Sequence, residues 1–248
     1  MCGLVCLLSA ASVLAVEPID TDGPDFVESS EVVPVGRLQY ELDLSAVQDR
    51  RDRHAGTRLA TPGLFKIGIA PDWEWRFAPS GMQHEAGQSG WGNLALGLKW
   101  HVLDRDASVG RPAVAWIAHL DALAGSTRFG DVRSRPSLRS VITWDLPHEL
   151  ALGVMPGIQY GATADAPEHV AGILGVVLNH RFGARLRAFV EYSASQVARA
   201  TAGGTVASYD VGAAWLVTDE TQIGVRYGIA ANNNTPDHFM LFEVAQRF

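Results

Sequence analysis

The feature that most narrows the folds open to this chain is a two-residue hydropathic beat running from Leu38 to its last residue. In Leu38-Gln39-Tyr40-Glu41-Leu42-Asp43-Leu44-Ser45-Ala46 the even positions are apolar and the odd ones polar or acidic. An oily face backed by a wet one at period two is a strand signature, since a helix would space its apolar positions by three and four. The beat returns in Trp73 to Phe77, Leu94 to Val102, Leu186 to Tyr192, Tyr209 to Trp215 and Ile223 to Ile229. No stretch after residue 16 reaches the eighteen or so apolar residues of a membrane helix, so any membrane crossing must be made by strands.

Twelve strands are predicted, over 33–48, 59–70, 72–79, 91–103, 112–124, 136–146, 149–160, 170–181, 184–194, 205–217, 220–231 and 238–248. Most approach the ten or so residues that a tilted strand needs to cross a bilayer. Their connections alternate. Gln48 to Arg58, Ala78 to Gly90, Ala124 to Arg135 and Ser195 to Gly204 are long, whereas Ala70 to Asp72, Leu146 to Glu149, Phe182 to Ala184 and Val217 to Glu220 are tight. Gly161 to Glu168 and Ala231 to Asp237 are of middle length, and Leu103 to Arg111 alone is too long for the tight-turn side. Long loops at one end and short turns at the other are the plan of an outer-membrane barrel, with both termini on the short-turn side.

The competing fold is a soluble β-sandwich or lipocalin-like barrel, which would also alternate. A soluble surface is normally rich in lysine and glutamate, and this chain has two lysines, Lys66 and Lys99. Trp73, Trp100, Trp144 and Trp215 all fall at the predicted short-turn ends, where amphipathic rings would lie at the headgroup level as an interface girdle. The expected fold is therefore all-β, a single antiparallel transmembrane barrel of about twelve strands. A formal charge of -7 offers no basic face to nucleic acid.

Residues 1–16 carry no charged side chain, include the apolar run Leu4 to Leu8, and read as a secretory signal peptide. Both cysteines, Cys2 and Cys6, lie in that segment, so the processed chain would hold no disulfide or thiolate metal site. Glu17 to Glu31 then bring six acidic residues, two prolines and no basic one. So acidic a segment buries too little surface to offset its chain entropy alone, and 17–32 is read as an extended periplasmic lead-in in preference to a plug inside the barrel. At the other end Met240, Phe242, Val244, Gln246 and Phe248 share one face, and the terminal Phe248 resembles the signal by which insertion machinery recognises outer-membrane barrels.

Several segments carry a family resemblance. Pro18 to Ser30 and Val33 to Glu41 resemble the opening of the outer-membrane transporters named for the MetA-pathway of phenol degradation. Gly92 to Trp100 resembles a central strand of that family, and Asp210 to Ala214 with Gln222 to Gly228 its closing hairpin. One departure is Gly23, where the acidic opening is expected to hold arginine. The resemblance implies an outer-membrane barrel linked by name to uptake of aromatic or hydrophobic compounds, and it brings no catalytic residues.

With the apolar phase facing lipid, the other phase points inward. It places Glu41, Asp43, Lys66, Glu74, Arg76, Lys99, His101, His119, Asp121, Arg139, Asp145, Arg187, Glu191, Asp210, Arg226, Glu243 and Arg247 in the lumen, eight acidic and seven basic residues besides the histidines. Such charges must be paired or hydrated, so the lumen is either a water-filled path with opposed charges or an interior closed by salt bridges. Their near balance argues against strong ion selectivity. A serine hydrolase would need Ser140 to meet His119, but these fall on opposite faces, and no Gly-x-Ser-x-Gly or His-Glu-x-x-His motif is present. His101, His119 and Asp121 could share a metal, although hydrogen bonding is the commoner fate of lumen histidines, and no cofactor is implied. The leading expectation is a channel or uptake barrel for small, aromatic or hydrophobic molecules. Its alternatives are a lipid hydrolase and a closed structural barrel whose extracellular loops contact partners.

Overall fold

The computed structural model describes residues 17–49, 56–122, 124–130, 134–163 and 166–248; the expected signal peptide, 1–16, lies outside them. Fifteen strands occur among these residues. They are β1 (Leu38–Asp49), β2 (Gly56–Ala60), β3 (Gly63–Ala70), β4 (Trp73–Pro79), β5 (Met82–Glu85), β6 (Gln88–Trp91), β7 (Leu94–Leu103), β8 (Ala113–Ala122), β9 (Arg135–Leu146), β10 (Leu150–Thr163), β11 (Ala166–Phe182), β12 (Leu186–Val197), β13 (Val206–Thr218), β14 (Thr221–Ala230) and β15 (His238–Arg247). Each neighbour is antiparallel, and β15 pairs back onto β1 from Gln39↔Arg247 to Gln48↔His238, which closes the sheet. Closure leaves the wall without an open edge, as a backbone in hydrocarbon requires.

The fifteen strands form twelve staves. β1 pairs with β3 below and β2 above, so β2 and β3 are one stave broken at Thr61-Pro62, where a proline cannot donate to the ladder. β4 continues into β5, and β6 into β7, through breaks at Ser80-Gly81 and Gly92-Asn93. The expected loop from Ala78 to Gly90 is thus largely a hairpin rising above the wall. On the β6–β7 stave Trp91 stands nine residues above Trp100, a rise of roughly 25 Å for a tilted strand, comparable to the apolar band of an outer-membrane barrel.

The pleat faces the way the sequence indicates. Leu42, Leu44, Ile67, Trp75, Phe77, Leu96 and Val190 are exposed on the outside, whereas Glu41, Lys66, Glu74, Arg76, Lys99 and Asp210 are buried. Trp73 and Trp100 lie in register at the short-turn end with their rings stacked 5.3 Å apart, and Trp215 is exposed at the same rim. Trp144 sits in register with Leu152 near that rim and is half-buried. Phe248 is exposed; its N–H donates to the Leu38 carbonyl at 2.8 Å, and its carbonyl accepts from Arg37.

The acidic segment 17–32 departs from expectation. It does not trail away from the barrel but lies inside it. The Ile19 N–H donates to Asp219 in the β13–β14 turn, the Phe26 and Val27 N–H groups reach Glu191 on β12, and the Val33 N–H reaches Glu74 on β4. The chain therefore crosses the lumen, returns along β9, β7 and β4, and joins the wall where Val35 bridges Gly68. The entropy argument holds for the segment alone and fails here because the barrel supplies partners for its carboxylates and amides. Gly68 marks the junction, since a Cβ there would strike the carbonyls of Val33 and Pro34.

Candidate functional site

Two sets of inward residues hold this segment, and the staves sort them. On β1, β3, β4 and β7 the inward phase is charged. Asp22 sits at the centre, accepting from Lys66 at 2.8 Å, Arg76 at 3.0 Å and Lys99 at 2.7 Å. Lys66 also pairs with Glu41, whose carboxylate caps the Asp22 and Gly23 N–H groups. Arg76 bridges Glu74 at 2.9 Å and Glu28, and Glu28 receives Arg139 from β9. Lys99 spends its remaining protons on the carbonyls of Ser29 and Ser30's neighbour Glu31. Glu74 and Lys99 have no exposed surface at all, so these charges persist only because each has a counter-charge in reach. Burial alone would raise the carboxyls of Asp22 and Glu28. The surrounding cations outweigh it, with Arg76, Lys66 and Lys99 holding Asp22 well below the usual range and Arg76 and Arg139 holding Glu28 below it.

On β8 to β12 the inward phase also carries an apolar patch among its charged residues. Ile117, Val141, Met155, Val177 and Phe189 are buried together, and the segment places Val27 among them with Phe26 alongside. Gly175 and Gly153 admit this contact, because a Cβ at either would press on Val27. Beyond that patch Arg187 chelates Asp25 through two nitrogens at 2.8 and 2.9 Å, and Arg226 pairs with Asp210 while Ser193 donates to the same carboxylate. A cavity of about 20 Å³ remains between the segment, Lys66, Glu74 and Arg247, space for about one water. At that height the segment fills the space between these side chains.

Most of the sequence-predicted lumen residues meet here: Glu41, Lys66, Glu74, Arg76, Lys99, Arg139, Arg187, Glu191, Asp210 and Arg226 all bind the segment or each other. His101 joins at the rim, its Nδ1 on the Ser30 carbonyl and its Nε2 on Asp104. His119 is taken by arginines, with Arg76 Nε donating to its Nε2 at 3.0 Å. Asp121 lies apart, pairing Arg135 at 3.2 Å near the long-loop end, and Asp145 meets Arg105 at the opposite rim. Asp43 sits across the β1–β15 ladder from Glu243. His101, His119 and Asp121 therefore do not converge, and no cluster of three metal-binding side chains occurs among the described residues. Ser140, in register with Trp116, stays on the outward phase.

Sequence reasoning missed the segment's own ligands, Asp22, Asp25 and Glu28, and the role of the overlong turn. Leu103 to Arg111 holds a short 3-10 turn, Ala107–Val109, and from it Arg105 donates to Glu31 at 2.8 Å. Its excess length was the available signal: the turn reaches back to clasp the segment.

A family model described as "Putative MetA-pathway of phenol degradation" matches residues 21–248. No curated protein sequence matches the chain. Among solved structures, an outer membrane channel from Pseudomonas putida F1 superposes with a TM-score of 0.68 at 12% identity, covering 89% of this chain and 98% of its own. The KdgM porin, solved in complex with disordered oligogalacturonate, gives a TM-score of 0.55 at 8% identity over 86% of this chain and 98% of its own. These likenesses are of fold.

Proposed function

Since the chain belongs to the family described as the MetA-pathway of phenol degradation and is a closed β-barrel of the bacterial outer membrane, we propose that it is a channel or uptake barrel for small molecules whose path is occupied at rest by its own segment 17–34. One observation carries this reading. The segment is held by side chains and not by strand pairing, so it can leave without dismantling the wall. The ladders between neighbouring staves are complete without it, and what must be exchanged is a set of ion pairs, amide contacts and one apolar contact. The Trp73, Trp100, Trp144 and Trp215 rings then mark the headgroup boundary on the periplasmic side.

The footprint of the segment suggests the cargo. Its withdrawal uncovers Lys66, Arg76, Lys99 and Arg139 beside the apolar patch of Ile117, Val141, Met155, Val177 and Phe189, with Arg139 in register with Ile117. A lumen with cations adjoining methyl and ring carbons suits a small amphipathic anion, a carboxylate joined to an apolar or aromatic body. A channel rather than an enzyme is favoured because most charged groups of the lumen are committed to ion pairs and no serine and histidine among the described residues are arranged as nucleophile and base.

Planar-bilayer recording tests this. The full chain should open rarely, and an Asp22→Ala/Glu28→Ala variant should show frequent stepwise openings. Benzoate should then interrupt the current more than benzyl alcohol or acetate. A variant that stays silent would leave a closed structural barrel as the function.

A further inference from the structure

Glu243 on β15 and Asp43 on β1 stand directly opposite each other in the barrel's closing ladder, where facing side chains are roughly 5 Å apart. Both point into the lumen, and neither is neutralised there. Glu243 is 2% exposed, and its Oε1 has no hydrogen-bond partner among the described residues; the same holds for the buried Oδ1 of Asp43. The segment brings no cation to them. It lays Gly23 against Glu243 so closely that a Cβ would run into the carboxylate. The charged groups that face the pair are Glu41 on β1, Asp25 of the segment, Arg187 on β12 and Arg226 on β14. Arg187 is engaged by Asp25, and Arg226 by Asp210. Glu243 is shut off from water and Asp43 is half-buried beside it, so a full negative charge on both, with no free counter-ion, is strongly disfavoured.

We propose that Asp43 and Glu243 hold one proton between them while the segment is docked, and that losing this proton loosens the segment at Gly23 to Asp25. The shared proton follows from the pair itself; its effect on opening rests on the channel reading above. Ionising the second carboxylate places a further negative charge against Asp25 and Glu41 and beneath the segment's closest approach to the wall. Docking is therefore favoured at lower pH on this side and weakens as pH rises.

Two measurements keep the parts separate. Infrared spectra of the refolded full chain should show a protonated-carboxyl band at neutral pH that titrates away on the alkaline side. That band should be absent from both Glu243→Gln and Asp43→Asn, with the gel mobility of the native barrel confirming that each variant is folded. A wild-type spectrum without such a band at neutral pH, or variants that retain it, would overturn the shared proton. In planar bilayers the wild-type opening rate should climb by on the order of tenfold from mildly acidic to alkaline pH, the scale expected for a mutual shift of a unit or more. Glu243→Gln should remain flat. A wild type that opens equally at all pH values, or a variant keeping the same slope, removes the link to opening. Silence from the Asp22→Ala/Glu28→Ala chain would instead strike the channel reading and leave the infrared result to decide the proton.

Discussion

The two halves of the lumen grip the same segment by opposite physics. Along β3, β4 and β7 the wall offers Lys66, Arg76 and Lys99, all buried, and the segment answers with Asp22 and Glu28. Along β8 to β12 it offers Ile117, Val141, Met155, Val177 and Phe189, which receive Val27 and Phe26, flanked by Arg139, Arg187 and Glu191, which hold Glu28, Asp25 and the Phe26 and Val27 amides. The charged half is brittle. Each cation there has given up its hydration, a penalty of several kcal/mol per ion, and all three meet at one carboxylate, Asp22. The apolar half is graded, because every methyl contributes its own increment and none leaves an uncompensated charge when removed. A segment held this way is specific on one side and adhesive on the other.

The sharpest way to break the comparison is Asp22→Ala. It removes a carboxylate shared by three buried cations and leaves Lys99 with no close counter-charge, while Lys66 keeps Glu41 and Arg76 keeps Glu74 and Glu28; undocking of the segment should be favoured by about 3–5 kcal/mol, the usual effect of removing one partner of a buried pair. A large increase in stepwise openings in planar bilayers is expected. Openings at the wild-type rate would show that the cations find other partners and that the charged half is not the clamp.

Met155→Ala probes the other half. Met155 has no exposed surface and packs in the cluster that receives Val27, so its truncation should cost about 2–3 kcal/mol of packing, somewhat less where the segment settles into the space. The expected result is a smaller rise in opening together with a lower thermal midpoint of the barrel. If Met155→Ala opened the channel more than Asp22→Ala, adhesion and not charge would dominate.

The two halves also differed in how far they could be read from sequence. In β1, β4 and β7 the inward residues are charged and the outward ones greasy, so Glu41, Glu74, Arg76 and Lys99 announce their side by the beat alone. In Ala113-Val114-Ala115-Trp116-Ile117 and Ile173-Leu174-Gly175-Val176-Val177 both faces are apolar. Period two then still yields a strand but no longer says which phase is the lumen, and the apolar patch stayed invisible. It is also why the acidic opening seemed destined for solvent: the cations that neutralise Asp22 are 44, 54 and 77 residues away. The twelve staves were legible because alternation is local. The docking of 17–34 was not, because it depends on which distant side chains a closed barrel gathers at one height.

Acid acts on the contacts of Asp22 and Glu28 and leaves the Val27 contact untouched. Docked, Asp22 and Glu28 are held below their ordinary carboxylate range; undocked, they should return to about 4. A group depressed in the docked state contributes its full share above the undocked value and loses it as pH falls through the docked one. Docking should thus be insensitive to these two groups from neutrality to about pH 5. Below about 4 it should weaken by up to 1.4 kcal/mol per pH unit for each. Opening rate recorded against falling pH checks this, and Met155→Ala should shift the whole curve without moving its acid limb. An acid limb beginning near neutrality would mean that Asp22 and Glu28 are not the groups whose charge holds the segment.

The smallest effect is expected at Ser140. It belongs to β9, in register with Trp116, whose ring is exposed on the outer face. Its nearest candidate base, His119, lies on the inward phase of β8 with Nε2 already accepting from Arg76 and Nδ1 facing Arg139 at 3.4 Å. For a hydrolase the serine would have to pass through the sheet, and the imidazole would have to give up an arginine to take a proton, so the geometry needed for nucleophilic attack is lacking on both counts. Ser140→Ala should leave conductance, thermal midpoint and acid limb within about 0.5 kcal/mol of wild type. Mass spectrometry of phospholipid incubated with either protein should show no loss of acyl chains. Turnover by the wild type that the variant abolishes would reverse the assignment of this barrel from conduit to enzyme.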